Sequence, residues 1–264
     1  MRVPTRITFL NCPLDLLDMS QAVDCCVAWC RTSGKPRRVI TVNANLLTMM
    51  EDDPELHRAC TSGDLVLADG VPVVWGGRLA GSPVPARVAG VDLMTRLLER
   101  GSELRLSVYL LGAREEVVAE LVKLCGSRYP GLTVAGHRNG YFGEEEYPAV
   151  ISAISSSGAH MLFVGMPTPF KEVWCERYCE DFGVPLIMGV GGTFDVLTGR
   201  VSRAPAWMQR IGMEWFWRLL MEPRKMWKRY LVSNSRFLWM TARWVFKRRL
   251  MPRRTGSRWT GDGK

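Results

Sequence analysis

"RVITVNANLLTMMEDDPELHRACTSGDLVLADG", residues Arg38–Gly70, decides how the chain folds. Two short aliphatic runs, 39–42 and 65–68, each end on polar residues or glycine. Between them "NLLTMMEDDPELHRAC" repeats its apolar positions with the 3.6-residue period of a helix. A strand, a helix and a second strand within 33 residues describe a parallel crossover.

The same alternation runs on. "LSVYLLGA", "LTVAGHRNG", "HMLFVGM" and "PLIMGVGG" read as strands, and "VDLMTRLLERG", "REEVVAELVKLCGSRY" and "PFKEVWCERYCEDFG" as helices. The pattern predicts a Rossmann-like layered α/β domain with a largely parallel sheet over residues 1–198. No internal repeat or low-complexity linker interrupts it.

Charge divides the chain at the same place. Residues 200–264 hold 17 Lys and Arg against 3 Asp and Glu, a charge of +14, which leaves −5 for residues 1–199. Seven of the ten tryptophans also fall between Trp207 and Trp259. Residues 199–264 are therefore expected to form a basic, amphipathic helical appendage, with Pro223 opening one of its helices.

Several classes are disfavoured. The eight cysteines show no CxxC and no second cluster that would complete a metal site, so they are expected to be reduced, mostly buried thiols of a cytoplasmic protein. His57, His137 and His160 have no metal-ligand spacing. No apolar run approaches the roughly 18 residues of a membrane span, and the first residues lack a signal-peptide core. The turns after the strands show neither GxGxxG nor GxxxxGK[ST], which argues against a dinucleotide dehydrogenase and a P-loop enzyme.

Open parallel sheets bind ligands at the carboxyl ends of their strands, so the residues just after the apolar runs are the candidates. These are Thr41 and Asn43, Asp69-Gly70, Gly112 and Gly165. Asp69 has two readings: a carboxylate presented to the crevice, or a residue that opens a turn or caps the next helix. Thr41 and Asn43, two apart on a strand, face one side and reach either a ligand or the local turn backbone. Gly112 and Gly165 either bring backbone N–H groups toward phosphate or merely permit tight turns.

Several of these stretches stand in the order and spacing of a known family. "TVNANLL", "LVLADGVPVVW", "RVAGVDLM", "LLGA", "NGYF", "LFVGMPTPFKE" and "GVGGTFDVLTGRVSRAPAWMQRIGMEWFWRLLMEPRKMWKRYL" together resemble the WecG/TagA/CpsF glycosyltransferases, over about residues 39–231. The resemblance implies inverting transfer of a hexose from a UDP-sugar to a polyprenyl-diphosphate-linked sugar, peripheral to the inner face of the cell membrane and without an obligatory metal or other cofactor. It implies Asp69 as general base, Thr41 and Asn43 as substrate contacts and Arg87 as the cation for the leaving diphosphate. Lys171 stands where the family usually has Gln, which tilts the expected donor toward glucose and exopolysaccharide synthesis. The alternative is N-acetylmannosamine, or its uronic acid, for a teichoic acid linkage unit or enterobacterial common antigen. A homo-oligomer is compatible with the family, and a non-catalytic membrane scaffold is the reading from another class.

Set at 100° per residue, positions 225–247 place Lys225, Arg229, Arg236, Arg243 and Lys247 in a stripe about 40° wide. Trp227, Tyr230, Leu231, Phe237, Leu238, Trp244 and Val245 fall opposite. That is the pattern of a helix lying in a membrane interface, or of one packed on its own domain with solvated charges. A nucleic-acid arm fits less well, because the apolar face is too broad to track a phosphate backbone. By the resemblance, Arg218, Arg224, Lys225, Lys228 and Arg229 would approach the lipid diphosphate. A chain ending after Arg203 is then expected to stay folded and lose transfer.

Overall fold

The computed structural model describes residues 4–32, 34–221 and 223–250, with the side chains of 206, 210, 218, 224–231 and 248–250 outside the description. A hairpin of β1 (Arg6–Phe9) and β2 (Cys12–Asp15) leads into α1 (Met19–Cys30), β3 (Arg37–Val42), α2 (Ala44–Met50), α3 (Pro54–Thr61), β4 (Leu65–Ala68) and α4 (Val71–Leu79). Next come α5 (Gly90–Glu103), β5 (Ser107–Gly112), α6 (Glu115–Arg128), β6 (Thr133–Arg138), α7 (Tyr147–Ser156), β7 (Met161–Gly165), α8 (Phe170–Arg177) and β8 (Leu186–Gly189). The chain closes with α9 (Thr193–Leu197), α10 (Ala206–Arg210), α11 (Glu214–Met221) and α12 (Pro223–Leu250).

Six strands form one parallel sheet in the order β4-β3-β8-β7-β5-β6. Successive residues of a strand face opposite sides, and the cores follow that alternation. Val39, Leu65, Leu67, Val108, Leu110, Phe163 and Met188 pack under α1, α5 and α6. Their neighbours face the other way, Ile40, Val66 and Ala68 toward the hairpin, α2 and α4, and Tyr109, Leu111, Leu162 and Val164 toward α7 and α8.

Two local features depart from the sequence expectation. The helical pattern over 45–60 is broken, because Asp53 caps a new helix by accepting from the Leu56 N–H at 3.0 Å and Pro54 occupies its first turn. The hairpin turns through Leu10 and Asn11 at φ +48° and +57°, a left-handed pair that non-glycine residues seldom supply. Asp15 locks it to the sheet, its side chain fully buried, accepting from Arg6 Nε and Nη2 at 2.8 Å and from the Val66 N–H at 2.7 Å.

The C-terminal part is helical, as expected, and Pro223 does open its last helix. The side of α12 that its sequence offered to a membrane is divided. Phe237 is buried against Phe9, ring centroids 6.4 Å apart, with Met240 beside it and Trp244 packed on the same core. Arg236 pairs through both terminal nitrogens with Asp52, just after α2. Among the described residues no helix is long and apolar enough to cross a membrane. All eight cysteines are free thiols, six of them buried.

Candidate functional site

Because every strand of the main sheet is parallel, the carboxyl ends of β3, β4, β5, β7 and β8 open on one cleft, about 1250 Å³ in volume. Thr41, Asn43, Asp69, Arg87 and Lys171 all line it. The sequence placed Thr41, Asn43 and Asp69 at strand ends, the resemblance added Arg87 and Lys171, and the fold brings all five to one cleft.

Asp69 follows β4 directly, and its N–H extends the ladder to the Val42 carbonyl at 2.8 Å. Its side chain does not cap α4, whose N-cap is Gly70 at φ +128°. Instead Oδ2 accepts from the Gly90 N–H at 3.2 Å, at the start of α5, while Oδ1 lies 3.6 Å from Arg87 Nε. A β-carbon on Gly90 would stand 3.0 Å from Thr41 Oγ1 and 3.7 Å from Asp69 Oδ2, so glycine lets α5 approach both. The Asp69 side chain remains 24% exposed, facing the cleft.

Asn43 is engaged on one side. Its Oδ1 accepts from the Leu46 N–H at 3.0 Å and caps α2, the local role foreseen for it, while the amide NH₂ stays available at the cleft wall. Arg87 is no idle surface residue: it is 19% exposed, and its guanidinium donates to Glu214 of α11 at 2.5 Å. Lys171 is nine-tenths buried, donates to Thr168 Oγ1 at 2.5 Å and pairs with Glu172, whose Oε1 also accepts from Thr168 at 3.0 Å. The ammonium charge is thus locally balanced. Its methylene stem covers Gly189, where a β-carbon would meet it at 3.2 Å.

Gly165 lines the cleft, and Gly112 lies directly beside it on β5. Gly112 is at φ +116°, paired in register with Gly165, and a β-carbon there would fall 2.7 Å from the Gly165 carbonyl carbon. The Ala113 N–H donates to the Gly165 carbonyl at 2.9 Å, so this pair serves close strand contact.

Several participants were not singled out in the sequence, although most fall inside the stretches that carry the resemblance. Glu214 binds Arg87, and its Oε1 lies 3.9 Å from Arg203 Nε. Arg203 in turn grips Asp92 at 2.6 and 2.7 Å. The Asp92 hydrogen bonds raise the Arg203 pKa, reinforced by the charges of Glu214 and Asp69, so it stays cationic. Tyr141 stands 72% exposed on the cleft rim, a free aromatic face for a planar ring to stack on. Cys175 also borders the cleft, and burial pushes its thiol up to about 12, which makes it inert as a nucleophile.

Arg218, Arg224, Lys225, Lys228 and Arg229 lie on α11 and α12, but their side chains are outside the described residues. Among the described residues no three His, Cys, Asp or Glu side chains converge to hold a metal ion. His160 takes a structural place, its Nδ1 against Ser107 Oγ at 2.7 Å, with the Ser107 N–H donating to it at 3.1 Å.

Two bacterial proteins are similar to this chain over most of its length. One from Bacillus spizizenii and one from Bacillus subtilis are each 33% identical over 193 residues, 73% of this chain and 74% of theirs. Both are named N-acetylglucosaminyldiphosphoundecaprenol N-acetyl-beta-D-mannosaminyltransferase. The family model described as glycosyl transferase WecG/TagA/CpsF matches residues 7–251, nearly the whole chain. This chain is a glycosyltransferase and belongs to the WecG/TagA/CpsF family.

Proposed function

We propose that the enzyme transfers N-acetylmannosamine, with inversion, from its UDP derivative to N-acetylglucosamine held on a polyprenyl diphosphate. The observation that carries this reading is a partly buried carboxylate and a guanidinium side by side on the cleft, in a chain 33% identical to two transferases so named. The relatives favour this donor over the glucosyl donor suggested by Lys171. The ion pair of Lys171 with Glu172 also removes the net charge that would select a uronic acid.

In the reaction, the acceptor hydroxyl oxygen forms a bond to the anomeric carbon as the bond to UDP breaks on the opposite face. Asp69 accepts the hydroxyl proton as positive charge builds on that oxygen. The leaving electron pair goes to the β-phosphate oxygen, where a forked guanidinium such as Arg87 supplies two parallel donors. Thr41 and the Asn43 amide then orient the sugar or the uracil from the β3 wall. Cationic side chains, not a metal ion or other cofactor, answer the diphosphate charge in this reading.

We further assign residues 1–198 to catalysis and 199–264 to an appendage that meets the inner membrane face. Val232, Trp239 and Phe246 stand 65%, 60% and 63% exposed, seven residues apart and therefore on one face of α12, opposite Phe237. Arg243 sits over the Trp239 ring at 5.3 Å. Aromatic and aliphatic groups beside arginines suit the headgroup zone of an anionic bilayer.

UDP-N-acetylmannosamine and UDP-glucose, each offered with N-acetylglucosamine and glucose acceptors on a polyprenyl diphosphate, test the reading. Turnover confined to the N-acetylmannosamine and N-acetylglucosamine combination is expected. Faster transfer of glucose overturns the donor assignment.

A further inference from the structure

The appendage sets an anion of its own against the cation assigned to the donor. Glu214 lies 127 residues from Arg87 along the chain, yet its Oε2 accepts from the Arg87 guanidinium at 2.5 Å. Both side chains are more than four-fifths buried, at 18% and 19% exposure, so solvent screens the pair little. Among the described residues, Arg87 faces two carboxylates, Glu214 and Asp69, while Arg203 grips Asp92. With Glu214 seated, the Arg87 guanidinium is already engaged by a carboxylate on the cleft that both residues border. Carboxylate and phosphate oxygens compete for the same guanidinium fork.

We propose that Glu214 is an intramolecular stand-in for the donor diphosphate: while α11 is seated its carboxylate holds the anion position on Arg87, and the donor binds by displacing it. The inference rests on the reading of Arg87 as the phosphate cation. It makes α11 seating and donor binding mutually exclusive at one contact, and the coupling is reciprocal: whatever lifts Glu214 tightens donor binding, and donor binding loosens α11 by the same factor. Arg203 keeps its bidentate grip on Asp92 throughout, so the chain before α10 stays docked while α11 yields.

The experiment measures UDP binding calorimetrically to the full chain, as wild type, Glu214→Gln, Glu214→Ala, Arg87→Ala and the Glu214→Gln/Arg87→Ala pair. Both neutral Glu214 variants are expected to bind UDP about tenfold more tightly, ~1.4 kcal/mol. Arg87→Ala is expected to bind at least tenfold more weakly, and the double variant no more tightly than Arg87→Ala. Glu214 variants that bind UDP as wild type does, or more weakly, overturn the stand-in while a loss in Arg87→Ala leaves the phosphate reading in place. Undiminished binding in Arg87→Ala overturns that reading and the inference with it. A readout free of substitutions is tryptic cleavage of the wild type within residues 210–225: UDP should accelerate it, and unchanged or slower cleavage refutes displacement.

Discussion

Replacing Gly112 by alanine tests how closely β5 and β7 must approach behind the cleft. The residue sits at φ +116°, where an L side chain is strained by about 1–3 kcal/mol. Its new β-carbon would also lie 2.7, 2.8 and 2.9 Å from the carbonyl carbon, nitrogen and Cα of Gly165. These are backbone atoms of β7, held in register with β5 and bonded from Ala113, so no rotamer change relieves the contact. Overpacking of this kind adds about 1–3 kcal/mol, and together the two effects should cost about 2–6 kcal/mol. Gly126 is the matched control: it lies in α6, and a β-carbon added there would meet nothing within 4 Å, so alanine should stabilise by about 0.5–1 kcal/mol. Urea unfolding of the two variants beside wild type reads both values. A Gly112→Ala protein within about 0.5 kcal/mol of wild type, well below the cost of the strain alone, would show that the two strands separate freely at the site and that the argument from close approach is wrong.

Asp69→Asn keeps an acceptor for the Gly90 N–H but loses the base, so turnover should fall about 10²–10⁴-fold with UDP affinity within about threefold of wild type, roughly 0.6 kcal/mol; retained turnover removes Asp69 from the mechanism. Phe237→Ala should cost about 3–5 kcal/mol because Phe237 is 3% exposed against Phe9, whereas Trp239→Ala, at 60% exposure, should leave the melting temperature unchanged and weaken binding to anionic vesicles. The buried thiols give a pH dependence: burial pushes Cys12 and Cys30 up to about 12 and Cys125 to about 11, above the 9.0 of an unfolded thiol. Their contribution to stability is full below pH 9 and is lost as pH rises toward 11–12, at about 1.4 kcal/mol per pH unit per thiol while the native form stays protonated. Melting temperatures flat from pH 8 to 11 would contradict that burial.

What the sequence made legible is what local chemistry encodes. Strand ends were readable because buried parallel strands are short aliphatic runs, and their ends delivered Thr41, Asn43 and Asp69 to the cleft without knowledge of strand order. The hairpin was not readable, since its turn uses Leu10 and Asn11 where a sequence signal would be Asn-Gly. The split between α2 and α3 did carry a signal, Asp53-Pro54, that the continuing apolar period hid. The partners of Arg87 were out of reach because ion pairs over 127 residues leave no periodicity. The last helix shows the limit most plainly. Periodicity identifies an apolar face but not what covers it, and α12 has two: Phe237 and Met240 close the core over Phe9, while Val232, Trp239 and Phe246 repeat on the opposite side. A helix serving only the core would need the first, and one serving only a surface the second. Carrying both, α12 ties whatever meets its outer face to the hairpin and α2 beneath it. A chain ending after Arg203 therefore does more than lose a docking element, because it uncovers Phe9 and its neighbours, and the expectation that it stays folded gives way to a loss of stability at least as large as that of Phe237→Ala.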